Sequence, residues 1–163
     1  MPDPLLPIER ILAVLAETPP RIAAQVAGLT AEQLHVPPGP DEWSANDVLA
    51  HLRACADVWG SYIARILFED RPAIRAISPR TYIKQTDYLK QDFHPSLQAF
   101  IAQRADLLAV LESLSPEEWE RQAVVTAVGR PIVRTVHTYS DRMARHEREH
   151  VRQIEHIVEA LRS

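Results

Sequence analysis

The segment His146-Glu147-Arg148-Glu149-His150-Val151-Arg152-Gln153-Ile154 places two imidazoles four residues apart inside a long helical pattern. Residues i and i+4 share one face of an α-helix, so both rings can close on a single metal ion. With seven histidines among 163 residues, this spacing alone does not separate a ligand pair from coincidence, and a third ligand has to be found. His51 is the strongest candidate. Ser44 reads as a helix N-cap with Asp47 three residues on, and Val48, His51, Leu52, Cys55, Val58, Trp59, Tyr62 and Ile66 then recur at helical spacing. Near the end of the chain Val136, Tyr139, Met143, His146, His150, Ile154, Ile157 and Leu161 trace a similar stripe. Three imidazoles are thus expected to converge on one interior. Burying each ring without a partner would cost on the order of a few kcal/mol, and a divalent cation would satisfy one nitrogen of all three. The competing reading is a hydrogen-bonded core histidine at position 51 and a solvated pair at 146 and 150.

The histidine pair also fits H-E-x-x-H, the zinc metalloprotease pattern, and His156 stands where metzincins place a third ligand. That arrangement needs a glycine after the second histidine, so that the chain can leave the helix. Gln153 occupies the place, and Val151 to Leu161 reads as continuous helix. A continuing helix turns His156 roughly 240° from His150 and carries it about 9 Å along the axis. The protease reading is set aside on that ground, and His156 is expected on the solvated surface. Cys55 lies one turn after His51 on the same face and reads as a small buried hydrophobe or pocket wall, with metal ligation as the alternative. Trp59, Tyr139 and Met143 share the histidine stripes and are candidate walls of a substrate pocket, or plain core. Trp43 and Trp119 are expected to be packing anchors. Glu147, about 60–100° around the helix from the pair, reads as a nearby base or as a surface charge.

The elements that must position these residues form an all-α pattern of four main helices. Ile8, Ile11, Leu12, Leu15, Ile22 and Val26 mark the first, from Leu5 to about Val26, which Pro19-Pro20 should kink or interrupt. Thr30-Ala31-Glu32-Gln33-Leu34 reads as a short capped turn, and Val36-Pro37-Pro38-Gly39-Pro40 as an extended loop. The second helix runs from Ser44 to about Phe68, and the third from about Ser96 to Leu114. Between them lies a long crossover framed by Pro72 and Pro79, which lets neighbouring helices run parallel. It can roof the histidine pocket, where Arg71, Arg75, Arg80 and Lys84 would meet an anionic substrate; a solvated basic loop is the alternative. Ser115-Pro116-Glu117-Glu118 starts another short helix carrying Trp119. Val124 to Val133 is β-prone with a central glycine, and predicts a small hairpin or an extended loop before the last helix.

The pattern Trp-Ser-(x)6-His on the second helix, followed by His-(x)3-His and a nearby Gln-Ile on the last, resembles the DinB-like superfamily, also called the YfiT or bacillithiol-transferase-like group. The resemblance covers nearly the whole chain. It implies a four-helix bundle in which His51, His146 and His150 hold one divalent metal ion, usually nickel or zinc, with water completing the shell. It also implies a homodimer. A few relatives transfer low-molecular-weight thiols, or use them to isomerise small organic acids, and many have no established reaction. The expected function is therefore metal-dependent transfer of such a thiol, as co-substrate, to a small electrophile. A metal-dependent hydrolase and a non-catalytic metal-binding stress-response module are the alternatives. Imidazole suits several transition metals, so the residues do not choose among them.

Composition bounds the remaining possibilities. A chain of 163 residues, 46% hydrophobic, can bury one core, and 1–163 is expected to be a single domain. Eighteen basic and 22 acidic residues are well mixed, giving a net charge of -4 and no basic stripe for nucleic acid. The N-terminus opens Pro2-Asp3-Pro4 rather than with a targeting pattern, and no apolar run is long enough for a membrane span, so the cytoplasm is the expected compartment. The single cysteine excludes an internal disulfide and leaves a reduced thiol.

Overall fold

The computed structural model describes residues 3–163. Four long helices form the bundle: α1 (Ile8–Val26), α3 (Ala45–Phe68), α5 (Phe93–Glu112) and α7 (Val136–Arg162). Short helices α2 (Ala31–Leu34), α4 (Pro79–Tyr82) and α6 (Pro116–Trp119) sit in the connections, and single 3-10 turns occupy Ile83–Gln85 and Tyr88–Lys90. Side-chain chemistry sets several of the helix starts. Ser44 accepts from the Asp47 N–H at 3.1 Å while Asp47 accepts from the Ser44 N–H at 2.9 Å, and Thr30 with Gln33 and Ser115 with Glu118 repeat this reciprocal cap.

Each helix packs on two neighbours, α1 and α3 both lying between α5 and α7. Leu6 meets Asp141 and Ala27 meets Arg162, so α1 and α7 run parallel. Arg53 meets Ser96 and Asp57 meets Gln103, so α3 and α5 also run parallel, as the long crossover requires. Contacts of His51 with His146 and of Tyr62 with Tyr139 make α3 and α7 antiparallel. The crossover is tied down by one carboxylate: Asp57 accepts from the hydroxyls of Tyr82 and Tyr88, and from the Gln103 amide.

Helices α1 and α5 both depart from the sequence expectation. Helix α1 begins at Ile8 and runs unbroken through Pro19 and Pro20. Pro19 has no N–H for the Leu15 carbonyl, and the guanidinium of Arg104 on α5 donates to that oxygen instead at 2.9 Å. Helix α5 starts at Phe93, three residues before the expected Ser96, because Pro95 is tolerated in a first turn, where N–H groups lack intrahelical acceptors. The hairpin is present as antiparallel strands β2 (Gln122–Thr126) and β3 (Ile132–Thr135), paired from Gln122↔Thr135 to Val125↔Ile132. A third strand, β1 (Ala73–Arg75) from the crossover, adds parallel to β2. Three residues are too short for a sequence pattern to reveal. Ile74, Ala123 and Val125 turn their side chains into the core, so the small sheet closes one end of the bundle.

The apolar interior divides in two. One cluster joins Ile11 and Leu15 to Trp59, Tyr62, Tyr139 and the sheet; the other joins Ile22, Leu34, Leu49, Phe93, Phe100 and Ile154. Polar groups occupy the level between them. Arg104 and Glu147 form a two-pronged ion pair there, reaching across the diagonal from α5 to α7 with side chains only 3% and 2% exposed. The three histidines lie at the same level, on the α3–α7 side.

Candidate metal centre

His51, set among the buried apolar residues of α3, faces α7, whose i and i+4 positions bring His146 and His150 onto the facing side. The Nε2 atom of His146 lies 3.2 Å from Nε2 of His51 and 3.0 Å from Nε2 of His150. Ring centroids are 4.3–5.0 Å apart, with planes tilted by 59–70°. A ring nitrogen carries one proton or one lone pair, so the two short contacts at His146 Nε2 cannot both be ordinary hydrogen bonds. Ligand nitrogens about 2.0–2.1 Å from a shared ion stand roughly 2.9–3.4 Å apart at angles between octahedral and tetrahedral. Both observed separations fall in that window, so the donor set fits a divalent cation.

The opposite ring nitrogens differ. His150 Nδ1 lies 2.7 Å from the Gln153 side-chain oxygen. The carbonyl oxygen can only accept, so this contact puts the proton on Nδ1 and leaves the Nε2 lone pair facing the other rings. Gln153 is part of the Gln-Ile pair noted in the sequence. His146 Nδ1 is buried without a hydrogen-bond partner. Burial, with the neighbouring imidazole of His150 and more weakly Arg80, lowers His51 to about 4. Burial, followed by His150, His51 and Arg142, lowers His146 to about 3. Both rings are therefore neutral at pH 7 and can offer lone pairs.

Cys55 joins the cluster, since His51, Cys55 and His146 offer ligand atoms within 4.8 Å of one another. Its sulfur lies 3.5 Å from His51 Nε2. Burial first, and the charge of Glu147 second, push the thiol up to about 12, so by itself it is a neutral, packed side chain. Trp59 sets its ring 5.1 Å from that of His146, and Tyr139 stands two turns before His146. Cys55, Trp59 and Tyr139 line a recess of about 730 Å³ that opens over the three histidines. Met143 does not line it. Three residues before His146 it points about 60° away, fully buried, with its sulfur 3.9 Å from the Arg104 guanidinium.

Glu147 is neither a base in the recess nor a surface charge: it is 1% exposed and bound to Arg104 on the far side of α7. His156 is solvated, with its side chain 82% exposed and Glu159 3.9 Å away, which leaves the metzincin arrangement without its third ligand. Trp43, expected only to anchor packing, stands 5.2 Å from the His51 ring and stacks parallel to His150 at 6.3 Å. Its one sequence signal is its place directly before the cap of the helix that carries His51. Of the four crossover cations, Arg80 alone reaches the recess; Arg134 of β3 and Arg142 of α7 join it there. Neither stands out in the sequence, because only the tertiary fold turns them toward the histidines.

A parallel-paired four-helix bundle with three imidazoles meeting between its second and last long helices defines a specific class of protein. The sequence profile of the DinB superfamily matches residues 15–154, which include all three histidines, and the chain belongs to that superfamily. A relative from Geobacillus thermodenitrificans (strain NG80-2), named "Putative metal-dependent hydrolase", is 28% identical over 120 residues. That match covers 70% of this chain and 64% of the relative, so the chain spans under two thirds of the relative's length. The solved structure of YfiT from Bacillus subtilis, described as a probable metal-dependent hydrolase with an unusual four-helix bundle topology, superimposes with a TM-score of 0.81. The superposition covers 96% of this chain and 90% of that one at 20% identity, and it establishes the shared fold.

Proposed function

We propose that His51, His146 and His150 hold one divalent ion, zinc or nickel, and that the chain is a metal-dependent enzyme acting on a small molecule in the recess above them. The observation that carries this reading is the meeting of three Nε2 atoms at His146, 3.2 and 3.0 Å from their partners. When bound, the ion supplies Lewis acidity and makes a nucleophile available at neutral pH. The chain's own residues prepare the place for it. Gln153 orients His150, burial keeps His51 and His146 neutral, and Trp59, Tyr139 and Cys55 wall the recess. Three protein ligands leave a position open for substrate or water.

Hydrolysis of a small ester or amide is the leading reaction, supported by the name of the Geobacillus relative. Transfer of a low-molecular-weight thiol to a small electrophile is the second reading, favoured by a recess of about 730 Å³ that has room for two reactants. Metal-loaded protein should turn over members of an ester and amide panel, and lose that turnover on His146→Ala. Conjugation that requires added thiol would transfer the assignment to the second reading. Neither activity at full metal content would contradict an enzyme and leave a structural metal module.

A homodimer belongs to the same proposal. Phe68 and Val110, 89% and 44% exposed, flank an apolar groove between α3 and α5 that a second copy would cover. Sedimentation at tens of micromolar is expected to show dimer, and monomer alone would contradict it.

A further inference from the structure

The chain carries a net charge of -4, yet the recess over the histidines has the opposite sign. Its walls hold Arg80, Arg134, Arg142 and Arg145 against two carboxylates, Asp141 and Glu149. Arg145 is engaged, donating to both oxygens of Asp141 at 3.0 Å and to the Pro4 carbonyl at 2.8 Å. The guanidiniums of the other three have neither a carboxylate within 4.0 Å nor a hydrogen-bond acceptor among the described residues. They come from three separate elements, α4, β3 and α7. Two are placed by the aromatic rings that bracket the histidines: Arg80 lies 5.8 Å from the Trp43 ring and Arg142 5.8 Å from the Trp59 ring. Three like charges gathered around one concavity repel one another, and an anion between them removes that cost while gaining charge-assisted hydrogen bonds.

The recess also has an apolar annex. Trp59, Tyr139, Arg134 and Arg142 are shared with an adjoining cavity of about 280 Å³, which extends over Ile77, Val125 and Ile132 toward the sheet. The two arginines therefore stand between the histidine centre and an apolar slot. We propose that Arg80, Arg134 and Arg142 form an oxyanion subsite beside the centre, and that the ligand is a small organic anion. Its carboxylate or phosphate sits on the guanidiniums, and its apolar substituent fills the slot. That this ligand is the substrate rests on the enzymatic reading above; that it binds does not.

The test is calorimetric titration with phenylacetate, phenyl phosphate and neutral phenylacetamide, using both zinc-loaded and chelator-treated protein, with metal content measured on the same samples. Chelator-treated protein matters because an anion cannot bind an ion that is absent. Both anions, or one of them, should bind in both forms, at least about tenfold more tightly than the amide, and their order assigns carboxylate or phosphate. The double variant Arg134→Gln/Arg142→Gln should weaken anion binding by about tenfold or more at unchanged metal content, whereas Arg75→Gln, on the exposed side of β1, should not. Anion and amide binding alike, or a double variant that binds as well as the parent, would overturn the subsite. Anion binding that survives in a protein unable to hold zinc would leave the subsite standing while the metal reading falls.

Discussion

His51 and His146 do their part by staying uncharged, and the cost of that falls on stability at low pH. Both are ordinary histidines in the unfolded chain, near 6.5, and are lowered to about 4 and about 3 in the fold, chiefly by burial. Between those limits the unfolded state takes up protons that the folded state refuses, so stability is fully present above about pH 6.5 and is lost as pH falls through the window below it. Chelator-treated protein should accordingly melt at progressively lower temperature from about pH 6.5 to about pH 5, and His51→Gln should flatten part of that decline. A melting temperature indifferent to pH there, or an equal slope in the variant, would contradict neutral burial. At this scale the histidines were legible because helical spacing is a local property, and both stripes are written in single segments. Trp43, Arg134 and Arg142 were not, since what brings them to the recess is the packing of α3, α7 and the sheet.

Among the elements, the Arg104–Glu147 pair holds more together than its two helices. Arg104 also donates to the Leu15 carbonyl that Pro19 leaves without a partner, so one guanidinium links α1, α5 and α7 at the level of the histidines. Removing one member strands the other charge in the core. Glu147→Leu or Arg104→Met alone should destabilise by about 3–5 kcal/mol, and the Glu147→Leu/Arg104→Met double variant should recover a substantial part. Urea denaturation of the four proteins measures the coupling, and additive losses would show that the pair is not the clamp described. Helix and hairpin positions were largely readable from caps, prolines and apolar periodicity. The unbroken α1 was not, because the Leu15 carbonyl that Pro19 leaves without a partner is satisfied by Arg104, 89 residues after Leu15 in sequence. Glu147 misleads for a similar reason: beside a metal-ligand motif a carboxylate suggests a base, whereas its partner lies across the bundle.

For the whole molecule, the long crossover foretold parallel neighbours, and both α3/α5 and α1/α7 are parallel pairs. That topology sets α3 antiparallel to α7 and brings position 51 opposite positions 146 and 150, almost a hundred residues later. Among the described residues no helix is long and apolar enough to cross a membrane. The β1 strand escaped the sequence reading because its pairing partner lies some fifty residues further on, in β2. The account as a whole stands on one ion bridging two helices of the bundle, and zinc content of purified protein tests it most directly. Wild type and His156→Ala should each bind one equivalent after zinc loading, while His51→Ala, His146→Ala and His150→Ala should each lose most of it. Equal zinc in wild type and His51→Ala would contradict a centre built between α3 and α7.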